Sequence, residues 1–93
     1  MQVTEIRVNN IDPKESGICG EFTIVLDDML CIHKIHVIKG SRGFFIAFPN
    51  TGEMRLYKNS KRFFDLVHPI NKTLRETIES EVLKVYYSEV EKL

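Results

Sequence analysis

Tryptophan is missing from this chain of 93 residues, cysteine occurs twice and proline three times. No apolar run approaches the roughly 18 residues that a membrane-spanning helix requires. No charged-then-apolar leader opens the sequence either, so neither a membrane nor an export route is expected. Cys19 and Cys31 are too few for a disulfide framework, and no pair has the spacing of zinc ligands. Unpaired thiols without an export signal point to a reducing cytoplasm. The absence of tryptophan excludes nothing.

Net charge is also lacking: 13 Lys and Arg balance 13 Asp and Glu. That argues against a generally basic nucleic-acid binder, but the average hides a segregation. Residues 1–32 carry Arg7 and Lys14 against six acids, a balance of −4. Residues 33–62 carry Lys34, Lys39, Arg42, Arg55, Lys58, Lys61 and Arg62 against Glu53 alone, a balance of +6. Residues 63–93 carry four bases against six acids, a balance of −2. Two accounts of the central block stand side by side. It is either a solvated, lysine-rich stretch or a local field that attracts phosphate.

The length makes one domain, 1–93. A chain this small buries only about 60–65% of the surface its unfolded form exposes. With disulfides and metals set aside, oligomerisation is the support left to it.

The apolar pattern is mostly period two, the mark of strands with one wet side. Thr4, Ile6 and Val8 alternate with Glu5 and Arg7. After a turn-rich loop at 9–17, Ile18, Phe22, Ile24 and Leu26 alternate, with Gly20 as a bulge or close-approach point. Asp27-Asp28 reads as a hairpin loop. A two-residue loop there sets Ile24 opposite Cys31, Phe22 opposite His33, Glu21 opposite Lys34 and Cys19 opposite His36. Next, the phase changes: Leu30 and Ile32 share one parity, Ile35 and Val37 the other. Period two permits that only with a bulge or with burial on both sides.

Gly40-Ser41-Arg42-Gly43 is a tight basic turn. Beyond it Phe44, Ile46 and Phe48 face one way, and Phe45, Ala47 and Pro49 face the other. Both faces of that strand are apolar, so both should be covered. The chain has one helix to cover one face. The Phe45, Ala47 and Pro49 face is therefore expected to meet a second subunit.

Residues 50–62 are the least regular, with a short strand expected at Met54–Tyr57. Phe63–Val67 is apolar again, and His68-Pro69 ends it. Asn71 or Thr73 can then cap a helix, and Thr73-Leu74-Arg75-Glu76 has capping-box spacing. Leu74, Ile78, Val82, Val85 and Leu93 form its apolar stripe, with Tyr86 at the edge. Four to five antiparallel strands followed by one long helix make an α+β domain.

Catalytic chemistry finds little support. His33 and His36 lie three apart, which on a strand sends them to opposite sides and disfavours a metal site. His68, near Asp65, lacks a partnered nucleophile and reads as a structural histidine at the strand-to-helix corner. The cysteines read as small core residues. The glycine turn matches no phosphate-binding fingerprint. Neither a metal nor a cofactor is expected. The basic block is what resists a bland account. There Arg55, Tyr57, Lys58, Lys61, Arg62 and Phe63 interleave cations with aromatics, as phosphate contact and base stacking both require.

Three stretches carry a likeness: Ile35-His36-Val37-Ile38-Lys39-Gly40, Gly43-Phe44-Phe45-Ile46-Ala47-Phe48-Pro49 and Asp65-Leu66-Val67-His68-Pro69-Ile70-Asn71. Together with Val3-Thr4-Glu5-Ile6-Arg7-Val8 and Leu26-Asp27-Asp28, they resemble the bacterial stage V sporulation protein G (SpoVG) family of septation regulators. The resemblance covers most of the chain. It implies a small α+β protein that forms a homodimer through its sheet. It also implies a regulator that binds DNA, and in some members RNA, in septation, sporulation or gene expression, without catalysis. In this chain Asn50-Thr51-Gly52-Glu53 follows the proline, and the bases come later. The nucleic-acid surface is accordingly expected at Arg55, Lys58, Lys61 and Arg62, with Lys72 and Arg75 at the helix start. The alternative is a protein-interaction module of the septation or sporulation machinery that does not touch nucleic acid.

Overall fold

The computed structural model describes residues 1–57 and 60–93, with side chains described for 1–50 and 65–93. Six strands precede one helix: β1 (Val3–Ile11), β2 (Gly17–Leu26), β3 (Leu30–Gly40), β4 (Gly43–Ala47), β5 (Asn50–Tyr57), β6 (Ser60–Asp65) and α1 (Lys72–Glu91). The first four form one antiparallel sheet in chain order, and β5 and β6 pair as a separate hairpin. This is the α+β arrangement expected from the alternating strands and the C-terminal stripe.

The β2–β3 hairpin departs from the expected register. Asp27 and Asp28 both take left-handed backbone, at φ 52 and 54, and the Met29 N–H donates to the Leu26 carbonyl at 2.9 Å. Met29 is thus a third turn residue, and Leu26 pairs with Leu30 rather than Met29. Ile24 therefore faces Ile32, not Cys31. The start of β1 holds this turn in place. The Gln2 N–H donates to Asp27 Oδ1 at 2.7 Å, and the Asp28 N–H donates to Thr4 Oγ1 at 3.0 Å.

A second shift lies between Phe22 and Ile24, where β3 carries one extra residue. Lys34 occupies the bulge at φ 61, an uncommon conformation for a residue with a Cβ. The bulge answers the phase change in the sequence. It turns Ile32, Ile35 and Val37 onto one buried face despite their mixed parity. It also makes Glu21 the partner of His36 rather than Lys34. A third shift, between Ile18 and Gly20, leaves Cys19 without a partner on β3; the Cys19–His36 pairing does not form.

The helix begins where Asn71, in extended backbone, accepts the Leu74 N–H on its side chain at 2.9 Å. That cap satisfies a donor that a helix start otherwise leaves open. Thr73 lies inside the first turn instead, and its carbonyl accepts from Thr77 Oγ1 at 2.9 Å. The buried helix residues are Ile78, Val82 and Tyr86, spaced by four, with Leu74, Leu83, Val85 and Val90 partly packed. Tyr86 is thus central rather than marginal, and Leu93 is 80% exposed.

This stripe covers the sheet face formed by Phe22, Ile24, Leu26, Ile32, Ile35, Val37, Ile46 and Phe48, the core of the domain. Full burial of each such side chain contributes about 1.5–3 kcal/mol. Gly20 lets the helix come close: a Cβ there would lie 3.4 Å from Tyr86 Cδ1 and 3.0 Å from Phe22 Cε1. Phe44 closes the cluster, 5.3 Å from the Tyr86 ring and 5.7 Å from Tyr87, with Lys39 Nζ 4.5 Å from its own centroid.

Candidate functional site

With one sheet face under the helix, the other carries no covering element among the described side chains. Its residues follow from register. On β4, Ile46 and Phe48 are buried beneath the helix while Phe45 is 49% exposed and Ala47 and Pro49 are half-buried. Phe45 pairs with Ile38, and Ala47 pairs with His36. With Ile18, Asn50 and Asp65 these residues line one shallow, mainly apolar concavity. Of the expected contact residues, Phe45 and Ala47 line this concavity, and Pro49 follows just beyond the end of β4. Pro49 also anchors the following segment, its carbonyl accepting the Leu66 N–H at 2.6 Å.

The same face carries a polar row that the sequence did not announce. The β3 bulge reverses the expectation for the two histidines and sets both on this side. His36 Nε2 lies 3.2 Å from Glu21 Oε1, and His33 Nδ1 lies 3.1 Å from Thr23 Oγ1. Thr23 is the one buried polar residue among those described, and its hydroxyl also accepts from Asn9 Nδ2 at 2.9 Å. Cys31 adds an exposed thiol, 3.8 Å from His33 Nε2, whereas Cys19 is fully buried; both cysteines are free. Reading Cys31 as a core residue is therefore corrected. The only hint in the sequence was the parity change between Ile32 and Ile35.

The expected cationic residues fall on two elements. Register makes Arg55 and Arg62 direct cross-strand partners and sets Lys61 opposite Leu56. Lys58 lies outside the described residues, as do the side chains of Arg55, Lys61 and Arg62. Lys72 opens the helix with its side chain 89% exposed, 3.8 Å from Glu76 Oε1. Arg75 is half-buried and already engaged. It donates to the Pro69 carbonyl at 3.3 Å and lies 5.1 Å from the Phe48 ring. His68 Nδ1, 3.2 Å from that same carbonyl, belongs to the corner as well.

A second apolar surface lies at the helix start. Met1, Leu26, Leu30, Ile32, Val67, Pro69, Ile70 and Leu74 are among the residues lining a cleft there, and Ile70 is 96% exposed. Among the described residues, no helix is long and apolar enough to cross a membrane.

These features define a class: a small α+β domain with one sheet face sealed by its own helix and the other open among the described residues. Residues 1–88 match the SpoVG family. Relatives of similar length support the match. A SpoVG protein of Borrelia hermsii is 38% identical over 95 residues, spanning 96% of this chain and 90% of its own. One from Agathobacter rectalis is 38% identical over 95 residues, spanning 98% of each chain. One from Finegoldia magna is 38% identical over 94 residues, spanning 99% of this chain and 80% of its own. All three bear names that attach them to septation. The chain belongs to the SpoVG family.

Proposed function

We propose that this protein is a dimeric, cytoplasmic regulator of the SpoVG type that binds nucleic acid, DNA or RNA, and has no catalytic role. The observation that carries the reading is the charge segregation: residues 33–62 hold seven bases against Glu53 alone. Arg55 and Arg62 are cross-strand partners. Like charges placed directly opposite are unfavourable unless an anion separates them. A phosphate backbone supplies such anions, and its binding is sequence-independent and salt-dependent. Lys58 and Lys61 belong to the same charge block of the sequence, and Lys72 and Arg75 add two bases at the helix start, where Pro69 and Phe48 already hold Arg75. Two copies joined through Phe45, Ala47 and Pro49 would double the charge and fix the spacing of two sites.

The test is binding to random duplex and single strands across a salt series. Affinity should fall steeply with salt, and each phosphate-contacting base removed should lower the log–log slope by about one. Lys61→Glu with Arg62→Glu should abolish binding at moderate salt. Unchanged binding by that variant would remove this surface from consideration.

A second reading has its own support in the cleft at the helix start. Exposed Met1, Leu30, Val67 and Ile70 suit a septation-machinery protein partner. That reading requires weak nucleic-acid binding at physiological salt and loss of the partner in Ile70→Glu.

A further inference from the structure

The uncovered sheet face holds two metal-ligating side chains at a separation that a tetrahedral ion imposes. Cys31 Sγ and His33 Nε2 lie 3.8 Å apart, both on exposed residues. In a tetrahedral zinc site, bonds of about 2.3 Å to sulfur and about 2.0 Å to nitrogen set those donors about 3.5 Å apart. A shift of a few tenths of an ångström therefore separates the pair from a chelating bite. The imidazole is also oriented as a ligand. With Nε2 facing the thiol, Nδ1 lies 3.1 Å from Thr23 Oγ1, and Asn9 Nδ2 holds that hydroxyl from the other side. Metal-bound histidines nearly always give their second N–H to a carboxylate, a carbonyl or water, and here the Thr23 hydroxyl is placed to take that part. Thr23 is 3% exposed, so the orienting group is itself anchored in the sheet.

One chain supplies only half a site. Among the described residues no group of three or more His, Cys, Asp or Glu side chains could hold a metal ion. A two-fold contact between these faces changes that arithmetic when its axis passes beside the pair, because the two copies of the pair then face each other. We propose that Cys31 and His33 form a half-site for a zinc-class divalent cation, completed by the same pair from a second copy as a Cys2His2 set. Coordination displaces the thiol proton into solvent, so binding is stronger at higher pH. No redox step is involved. The inference rests on the reading that two copies meet through this face, and it adds a ligand that ties them together.

Cobalt(II) is the probe, titrated into the reduced, chelator-treated full-length protein at neutral pH while oligomeric state is followed by sedimentation. The expected result is one cobalt per two chains, with thiolate-to-cobalt charge transfer, intense tetrahedral d–d bands, and a shift toward dimer. Cys31→Ser should remove the charge-transfer band although Cys19 remains, and His33→Gln should remove the tetrahedral spectrum. Both positions are exposed, so far-ultraviolet circular dichroism should stay unchanged. Thr23→Val, which keeps the shape, should weaken binding about ten- to hundredfold. A dimer that shows no thiolate band with cobalt would overturn the metal site and leave the sheet-face contact standing. A chain that stays monomeric with and without cobalt would overturn both. A thiolate band retained in Cys31→Ser, or one cobalt per chain, would also reject the shared site.

Discussion

Tyr86 lies over Gly20, with its Cδ1 3.4 Å from where a Cβ at that position would be. The same Cβ would meet Phe22 Cε1 at 3.0 Å and the Asn10 carbonyl at 3.4 Å. Gly20→Ala should therefore destabilise the fold by about 1–3 kcal/mol, the usual range for overpacking. Urea denaturation would measure it. An unchanged midpoint would mean that the helix does not seat Tyr86 on β2.

The bulge in β3 makes an opposite-signed pair of predictions. Lys34 holds φ 61. Glycine reaches that region without the Cβ clash, so Lys34→Gly should be neutral or stabilising by up to about 1 kcal/mol. Valine is β-branched and poorly tolerated there, so Lys34→Val should lose more than about 1 kcal/mol. Thermal unfolding of the two variants side by side decides the matter. Equal melting temperatures would argue for a regular strand.

Stability should also fall on the alkaline side. Burial raises the Tyr86 phenol above its ordinary value of 10.0, and Cys19, Tyr87 and Asp12 push the same way. The folded protein thus holds this proton to higher pH than the unfolded chain does. Stability from that difference is fully present below the unfolded pKa and is lost as pH rises through the folded one. Tyr86→Phe should show a shallower decline above about pH 10. Parallel alkaline profiles for the two proteins would assign the decline to other groups.

Phe45 is the most exposed of the three expected contact residues, at 49%. Phe45→Glu should convert a dimer to monomer in sedimentation without changing the circular dichroism of the fold. A charge buried at an apolar contact without a partner is costly, so even a tight interface should open. A dimer that survives this change uses another surface.

The legible parts of this protein are those set by short-range pattern. Alternation in β1 and β2, the Gly40–Gly43 turn and the Ile78–Val82 stripe all depend on neighbours within one or two turns. The helix start was nearly as plain, with Asn71 and Thr73 both suitable and the backbone of Asn71 deciding between them. The SpoVG likeness added the expectation of a sheet-mediated dimer, and alternation along 44–49 was what assigned Phe45 and Ala47 to the face turned away from the helix.

What stayed hidden was register. Whether Asp27-Asp28 closes a two- or three-residue turn changes every cross-strand partner behind it, and the choice depends on Gln2 and Thr4, more than 20 residues away. Mixed parity at Ile32 and Ile35 announced an irregularity without locating it. The bulge at Lys34 turned His33 and His36 to one side, whereas Cys31 and His33, two apart, share a face without it. Helical spacing sets Tyr86 at the edge of the stripe because it cannot reveal an absent side chain on a distant strand.

The sequence by itself thus determined the elements, their order, the family and the charge segregation, because local propensity and composition set these. The tertiary structure decided which face each β3 residue occupies and which side chains meet across strands. Those are long-range quantities, and a single inserted residue inverts them.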